Sequence, residues 1–252
     1  MKQWFPALSA TSNKYNRGVV GVVAGSDQYP GAAVLCVGGA RRGGAGYVKY
    51  LRQSELTTSL VLTHFPDVVA VPSTESPADA WVVGSGIPSA MHIPENGSLV
   101  LDAGALLHVP QQRDRLIVVT PHEGEATAMG FAVGEDRGAT AAAMAQALDV
   151  IVVLKGYRTC IAAPDGTVIQ DEIAGAELST AGTGDILAGL IGSMLAAWRP
   201  QTHSAAHSVV ANAVALHGIA GQLARQQVAP VTALDVLEAL PKAALNDSTL
   251  AH

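Results

Sequence analysis

Residues Thr180–Leu190 read TAGTGDILAGL, which predicts a Gly-rich turn that runs directly into an apolar helix. Backbone N–H groups at a helix N-terminus have no intrahelical partner, and the helix dipole favours negative charge there. The small residues of the turn let a phosphate approach those amides, and Asp185 is placed to accept a proton from an attacking hydroxyl. The stretch therefore indicates phosphoryl transfer. Taken alone, it also allows a plainer interpretation, in which Thr183 or Asp185 caps the helix.

Length and composition indicate an α/β protein with a large core. The chain has 252 residues, of which 49% are hydrophobic and 4% aromatic, and we expect one domain over residues 1–252. A net charge of −6 argues against binding to nucleic acid or to acidic membranes. Any phosphate site must therefore be local, built from backbone amides and a few basic groups.

Several features favour a cytoplasmic location with no membrane segment. Cys36 and Cys160 lie in apolar surroundings without metal-ligand spacing, as expected for core residues in a reducing compartment. Met1–Pro6 lacks the apolar core of a signal peptide, and the apolar run Ile186–Trp198 is too short to span a bilayer.

Apolar runs typical of strands alternate with helical patterns, which predicts βαβ units and a mainly parallel sheet between two helical layers. The predicted strands are Val19–Ala24, Tyr47–Leu51, Trp81–Val83, Leu99–Leu101, Leu116–Thr120 and Val150–Leu154, followed by a hairpin of Thr159–Ala163 and Thr167–Asp171. The predicted helices are Ala32–Arg42, Gly124–Met129, Glu135–Leu148, Asp185–Trp198, Thr202–Gln226 and Ala233–Leu245. We expect loops at Asp67–Ser76 and Ser85–Gly97.

Short polar turns follow five of the predicted strands. In open α/β sheets, ligands bind beyond the C-terminal ends of the strands, so these turns describe the rim of a cleft. A P-loop is excluded, because the chain contains no Gly-Lys dipeptide. The rim segments are Gly25–Ala32, Gly84–Gly86, Asp102–Gly104, Thr120–Glu125 and Lys155–Thr159.

These motifs, in this order, resemble the ADP/ATP-dependent NAD(P)H-hydrate dehydratases, a branch of the ribokinase-like fold. The resemblance runs from about Asn16 to Leu240 and is most specific at Thr120-Pro121-His122-Glu123-Gly124-Glu125, Val153–Gly156, Gly182–Asp185 and Ala215–Gly218. Family members often have Gly-Pro-Gly where this chain has Gly84-Ser85-Gly86. That departure concerns the substrate-side loop.

The resemblance implies a three-layer αβα sandwich and a repair activity. NADH or NADPH that has gained water across the C5–C6 bond of its nicotinamide ring would be dehydrated at the expense of ADP or ATP, with Mg²⁺. The implied route is phosphorylation of the 6-hydroxyl followed by loss of phosphate. A homo-oligomer such as a tetramer is also implied. No epimerase domain is expected, because the dehydratase fold accounts for the 252 residues.

The resemblance also assigns site residues. Asp185 would be the catalytic base, with Gly182, Thr183 and Gly184 forming an anion hole for the transferred phosphate. The nucleotide would contact Lys155, Gly156, Tyr157, Arg158 and Thr159, and the hydrate would contact Ala32, Gly86, His122 and Asp185.

Four further residues are considered for the same site. Asp102 is expected beside the same cleft, and His217 is expected to be a satisfied core histidine. Glu123 and Glu125 are candidates for contact with magnesium, but the metal ligands stay unassigned.

Two alternatives remain open from the sequence. The first is a small-molecule kinase of the same fold, acting on a thiazole or a hydroxymethylpyrimidine. The second is a non-catalytic nucleotide sensor, against which the intact Asp185 argues.

Overall fold

The computed structural model describes residues 3–88, 92–111 and 114–245. Its strands are Val19–Val23 (β1), Tyr47–Leu51 (β2), Val69–Val71 (β3), Ala80–Val83 (β4), Ser98–Leu101 (β5), Ile117–Val119 (β6), Ile151–Leu154 (β7), Cys160–Ala162 (β8) and Val168–Gln170 (β9). Its α-helices are Pro30–Ala40 (α1), Glu55–His64 (α2), Glu123–Ala128 (α3), Arg137–Leu148 (α4), Thr183–Trp198 (α5), His203–Arg225 (α6) and Ala233–Leu245 (α7). Short 3₁₀ helices span Ala103–His108 and Ala176–Leu178.

The strands form one sheet in the order β3-β2-β1-β4-β5-β6-β7-β8-β9. Neighbouring strands from β3 to β7 pair in parallel, whereas β8 and β9 pair antiparallel as a hairpin at the edge. The predicted sheet and hairpin are therefore confirmed. Because β1 and β4–β7 are parallel neighbours, the loops after their C-terminal ends meet along one rim of the sheet.

Alternating side chains of the strands pack into two separate hydrophobic cores, one on each face of the sheet. In β1, Val20 and Val22 pack among α1, α5, α6 and α7, while Val19 and Val23 pack on the other face with α3 and α4. Every residue of β1, β4, β6 and β7 is buried, as expected for strands covered on both faces. The predicted three-layer αβα sandwich is confirmed.

The predicted helices and strands are all present, with ends that differ by up to two residues from the prediction. Cys36 and Cys160 are buried, as predicted. Within the ranges described, the search for a helix long and apolar enough to cross a membrane finds none.

One segment differs from its sequence prediction, and one helix was not predicted. Asp67–Ser76, predicted as a loop, contains strand β3, which is only a short edge strand. Helix α2 was missed because it buries only Thr57 and Val61, so its apolar pattern is weak. A capping box between Ser54 and Thr57 starts it instead. The predicted loop Ser85–Gly97 is irregular at 85–88 and 92–97, and residues 89–91 lie outside the described residues.

Two glycines let α1 and α5 cross with their backbones in contact. A Cβ atom at Gly39 would collide with the backbone carbonyl of Ile186, and one at Gly189 would collide with the carbonyl oxygen of Cys36. Both obstacles are main-chain atoms that cannot rotate away. The crossing holds the N-terminus of α5, and with it Asp185, against the rim of the sheet.

We predict that Gly189→Ala destabilises the protein. The added methyl group meets the α1 backbone, and overpacking of this kind costs about 1–3 kcal/mol, more than the gain of up to about 1 kcal/mol in helix propensity. Urea denaturation followed by circular dichroism measures the change. Gly134→Ala is the matched control, because a Cβ there meets nothing within 4 Å among the described atoms. Equal stability of the two variants would contradict the close crossing.

Candidate active site

The rim beyond the parallel strands brings the predicted turns together. The backbone N–H of Gly25, after β1, donates to the carbonyl oxygen of Ser85, after β4, at 2.7 Å. The N–H of Lys155, after β7, donates to the carbonyl oxygen of Pro121, after β6, at 2.8 Å. The sequence prediction of a common cleft rim is therefore correct.

Helix α5 begins in the Gly-rich turn, with Gly182 as its N-cap in the left-handed region at φ +95°. Among the residues described, no side chain accepts a hydrogen bond from the first turn of α5. The Thr183 hydroxyl instead donates to the carbonyl oxygens of Leu178 and Thr180, both at 2.9 Å, and so fixes the preceding loop. The plainer interpretation, in which Thr183 or Asp185 caps the helix, is therefore wrong. The amides of this turn are available to an anion.

Asp185 lies in the first turn of α5 and is partly buried. Burial raises the pKa of Asp185 to about 7, and the neighbouring Asp102 carboxylate adds to the rise. The Lys155 ammonium and the Ser85 hydroxyl offset part of that rise in pKa. A carboxyl group with this pKa exchanges its proton near neutral pH, as a general base must.

Asp102 is the buried centre of the site, with 2% of its surface exposed. Its Oδ1 accepts hydrogen bonds from Lys155 Nζ and from the Thr120 hydroxyl, both at 2.7 Å, and its Oδ2 accepts one from the Ser85 hydroxyl at 2.8 Å. Burial opposes its ionisation, but the Lys155 ammonium and these hydrogen bonds outweigh burial and hold the pKa of Asp102 below its usual value. The expectation that Asp102 lies beside the cleft is met.

Lys155 connects that buried carboxylate to the Gly-rich turn. Burial opposes its charge, yet Asp102 and the more distant Glu125 carboxylate, at 3.7 Å, raise the pKa of Lys155 above its usual value. Its Nζ lies within 3.4 Å of the place that a Cβ on Gly184 would take. The ammonium is therefore always charged at neutral pH and lies beside the amides that would hold a phosphate.

A cavity of about 540 Å³ opens beside this turn, bordered on its far side by Ala174–Leu178 and Leu187. Of the predicted site residues, its walls contain His122, Lys155, Gly156, Tyr157, Thr159, Thr183 and Gly184. Arg158 is half exposed outside that lining, with its Nε 3.8 Å from a carboxylate oxygen of Glu172. The cavity has more apolar than polar surface, which suits a planar base attached to a phosphate group.

Ala32 and Gly86 lie together on the other side of Ser85. Gly86 has φ +68°, and a Cβ there would collide with the Ala32 methyl group. The Ser26 hydroxyl donates to the carbonyl oxygen of Gly86 at 2.8 Å and steadies this loop. Two small residues in contact leave backbone exposed to a ligand, so Asp185 has one predicted binding surface on each side.

His122 is the N-cap of α3 as well as a wall of the cavity. Its backbone N–H donates to Glu125 Oε2 at 2.8 Å, and its Nδ1 accepts from the Glu125 N–H at 3.2 Å. The ring is 59% exposed, so it can also meet a ligand. Capping and substrate contact are compatible here.

The carboxylates considered for magnesium are already engaged. Glu123 forms an ion pair with Arg137, and Glu125 completes the capping box of α3. In the described part of the chain, no group of three His, Cys, Asp or Glu side chains could hold a metal ion. We assign no metal ligands.

His217 differs from its sequence prediction. It is buried, but its Nε2 has no hydrogen-bond partner among the described residues, so it is not a satisfied core histidine. Burial lowers the pKa of His217 to about 4, although the adjacent Thr183 backbone acts in the opposite direction. The ring is neutral at pH 7 and borders the cavity.

Arg137 is a positioning residue that the sequence analysis missed. Its guanidinium donates to the carbonyl oxygens of Leu154 and Lys155, at 3.3 and 2.9 Å, and so fixes the end of β7. The side chain comes from the first residue of α4, and nothing in the local pattern there distinguishes it from a solvated helix residue.

The sequence model of the NAD(P)H-hydrate dehydratase family matches residues 20–242. The bifunctional NAD(P)H-hydrate repair enzyme Nnr of Mycobacterium tuberculosis (strain ATCC 25618 / H37Rv) is 36% identical over 219 residues, covering 80% of this chain and 46% of that enzyme. The ADP-dependent (S)-NAD(P)H-hydrate dehydratase of Bacillus subtilis (strain 168) is 32% identical over 240 residues, covering 86% of this chain and 85% of that enzyme. The chain thus spans about half the length of the first relative.

Solved structures agree with the sequence comparisons. The crystal structure of the Bacillus subtilis ADP/ATP-dependent NAD(P)H-hydrate dehydratase, co-crystallized with ATP/Mg²⁺, matches with a TM-score of 0.86 at 30% identity, covering 94% of this chain and 92% of that one. A ribokinase-like superfamily protein from Enterococcus faecalis V583 matches with a TM-score of 0.82 at 23% identity, covering 96% of this chain and 91% of that one. It shares the ribokinase-like fold. With the family model matching most of its length, the chain belongs to the NAD(P)H-hydrate dehydratase family.

Proposed function

We propose that this chain uses ADP or ATP to dehydrate the S epimer of NADH or NADPH hydrate and so returns the dinucleotide to its reduced, active form. The observation that carries the proposal is Asp185, a carboxyl group with a pKa of about 7 beside the uncapped N-terminus of α5. Family membership supplies the substrate, because the Bacillus subtilis relative is named as an ADP-dependent (S)-NAD(P)H-hydrate dehydratase.

In the first step, Asp185 accepts the proton of the 6-hydroxyl while that oxygen attacks the terminal phosphorus of the nucleotide. The bond from that phosphorus to the bridging oxygen breaks and releases AMP or ADP, while the amides of Gly182–Gly184 stabilise the charge that develops on the phosphoryl oxygens. The permanently charged Lys155 adds to that stabilisation. General-base assistance of this kind is worth about 10²–10⁴ in rate.

In the second step, the phosphorylated oxygen leaves C6 as phosphate, driven by the lone pair of the ring nitrogen. Loss of a proton from C5 then restores the C5–C6 double bond. Phosphorylation converts hydroxide, a poor leaving group, into phosphate, a good one. This is why a kinase-like site is suited to a lyase reaction.

The adenine nucleotide fits the cavity bordered by Lys155–Thr159, with its phosphates directed toward the turn at Gly182–Gly184. The dinucleotide fits against Ala32 and Gly86, and its third expected contact, His122, lies in the wall of the nucleotide cavity. Magnesium would accompany the nucleotide, held through phosphate oxygens and water, since Mg²⁺ keeps several waters and needs few carboxylates. The Bacillus subtilis relative was crystallised with ATP/Mg²⁺.

Three sequence-based expectations stay proposals: a single domain over residues 1–252, a homo-oligomer such as a tetramer, and a cytoplasmic location. A kinase acting on a thiazole or hydroxymethylpyrimidine is not favoured, because the family model and the named relatives concern NAD(P)H hydrate.

Asp185→Asn tests the assignment of the base. The amide keeps the size of the carboxyl group but does not accept the hydroxyl proton, so turnover should fall by about 10²–10⁴. Chemically hydrated NADH is mixed with ADP or ATP and Mg²⁺, and the return of absorbance at 340 nm is followed. Thermal unfolding serves as the control for an intact fold. Turnover close to that of the unchanged protein would remove Asp185 as the base.

The pH dependence of the reaction follows from the raised pKa of Asp185. The base works only when ionised, so kcat/KM should rise with pH up to about 7 and level off above it. Below that pKa, kcat/KM should fall about tenfold per pH unit. The residual activity of Asp185→Asn should lack this acid limb. A profile that stays flat down to about pH 5 would mean that Asp185 keeps an ordinary pKa or is not the base.

Lys155→Ala should weaken ADP binding more than hydrate binding, because Lys155 lies beside the phosphate-binding turn. We expect about a tenfold higher Kd for ADP, as for loss of a hydrogen bond to a charged group. Thr159→Ala should also weaken ADP binding more than hydrate binding, but by a smaller factor. Titration calorimetry measures both ligands, and Lys242→Ala is the control, since that lysine lies on α7 against Gln227. Unchanged ADP affinity in both site variants would show that the nucleotide binds elsewhere.

A further inference from the structure

His217 has an unused hydrogen-bonding atom in the wall of the cavity beside the Gly-rich turn. It lies on α6, has 4% of its surface exposed and borders that cavity. Its Nε2 has no hydrogen-bond partner among the described residues. Nearly all buried polar atoms in proteins are hydrogen-bonded, because an unpaired one loses its hydration without compensation. The exception at His217 therefore points to a partner that binds in the cavity.

The cavity has two sides of different chemistry. Lys155 and the Gly-rich turn lie on one side, where a phosphate would be held. The other side is lined by apolar residues of the loop 174–178 and by Leu187. His217 belongs to this apolar side, because a Cβ on the next residue, Gly218, would lie only 3.0 Å from the loop, at the backbone nitrogen of its first residue.

Backbone donors on the apolar side are already engaged. The N–H groups of Ala174 and Gly175 donate to Asp171 Oδ2 at 3.0 Å and to Glu177 Oε1 at 2.9 Å. Among the described side chains that line the cavity, His217 is the one that has a buried polar atom without a partner. A ligand group on this side therefore finds the spare nitrogen of His217 set in an apolar surface.

The charge of His217 limits the kind of group that it suits. Burial lowers the pKa of His217 to about 4, so the ring is neutral at pH 7. A neutral imidazole offers one N–H donor and one acceptor nitrogen, which suits an uncharged polar group better than a phosphate. The edge of a purine base carries such groups, and its flat face suits an apolar wall. The charged Lys155, on the other side of the cavity, suits the phosphates.

We propose that His217 is a specificity-determining residue that hydrogen-bonds through Nε2 to the edge of the adenine base. The inference rests on the proposed use of ADP or ATP by this site. It places the base against the loop 174–178, with the phosphates toward Lys155. The contact gives Nε2 a partner only when a base of matching size is bound, which favours adenine nucleotides over those with a smaller base.

His217→Phe and His207→Phe form a matched pair of variants. Both replace a buried histidine of α6 by an apolar ring, but His207 Nε2 is paired with the carbonyl oxygen of Ile161 at 2.9 Å. His217→Phe should raise the Kd for ADP about five- to tenfold, as for loss of one hydrogen bond, and leave the Tm of the ligand-free protein unchanged or higher. His207→Phe should leave the Kd for ADP within about twofold and lower Tm by about 2–4 °C. Titration calorimetry and thermal unfolding measure the two quantities.

UDP separates the base from the rest of the nucleotide, because it has the same ribose and diphosphate with a base one ring smaller. In His217→Phe, the Kd for UDP should change by less than about twofold. His217→Leu is a second variant that removes the imidazole without adding volume, and it should show the same loss of ADP affinity. An unchanged Kd for ADP in both variants, or equal losses for ADP and UDP, would overturn the proposal.

A second measurement detects the contact without the reaction. In protein labelled with nitrogen-15 histidine, the Nε2 resonance of His217 is identified by its absence in His217→Phe. That resonance should shift at saturation with ADP and stay in place with UDP, and no shift with ADP would also contradict the proposal. If the resonance shifts but the unchanged protein never restores NADH, the base contact stands and the proposed function fails.

Discussion

The site depends on one buried ion pair, between the Asp102 carboxylate and the Lys155 ammonium. A buried carboxylate is costly unless a cation and hydrogen-bond donors surround it. Asp102 meets that requirement with Lys155 and with the hydroxyls of Ser85 and Thr120, at 2.7 to 2.8 Å. These four residues follow β4, β5, β6 and β7, so one cluster holds the ends of four neighbouring strands in register. The chemistry is built on that fixed rim.

The same ion pair adjusts the groups that would react. Lys155 stays charged because Asp102 lies against it, and its ammonium reaches the turn at Gly184. Asp102 also repels the charge of Asp185, which adds to the effect of burial and keeps that pKa near neutrality. One negative charge thus holds the Lys155 ammonium beside the turn and raises the pKa of the proposed base, Asp185. Raising the pKa of Lys155 and the pKa of Asp185 independently would require a second buried charge.

Close backbone approach is the second constraint on this site. Gly39 and Gly189 let α1 and α5 cross in direct contact, and Gly86 leaves room for the Ala32 methyl group. Because α5 begins at the Gly-rich turn, a change in the crossing would move Asp185 relative to the rim. The geometry that places Asp185 is therefore largely main chain. The Asp185 side chain adds a titratable group at a position that the backbone crossing already defines.

Sequence alone determined the fold class, every strand except β3, the Gly-rich turn before α5 and the expectation that Asp185 and Lys155 share one cleft. These are local patterns, since burial on both faces and turn chemistry are visible within a few consecutive residues. Helix α2 and the His217 Nε2, which has no partner among the described residues, escaped prediction because their signals depend on packing against distant elements. Only the tertiary structure decided that Arg137 fixes the end of β7 and that the Ser85 hydroxyl donates to Asp102. Such contacts join residues far apart in the chain, and their energies depend on distance in space.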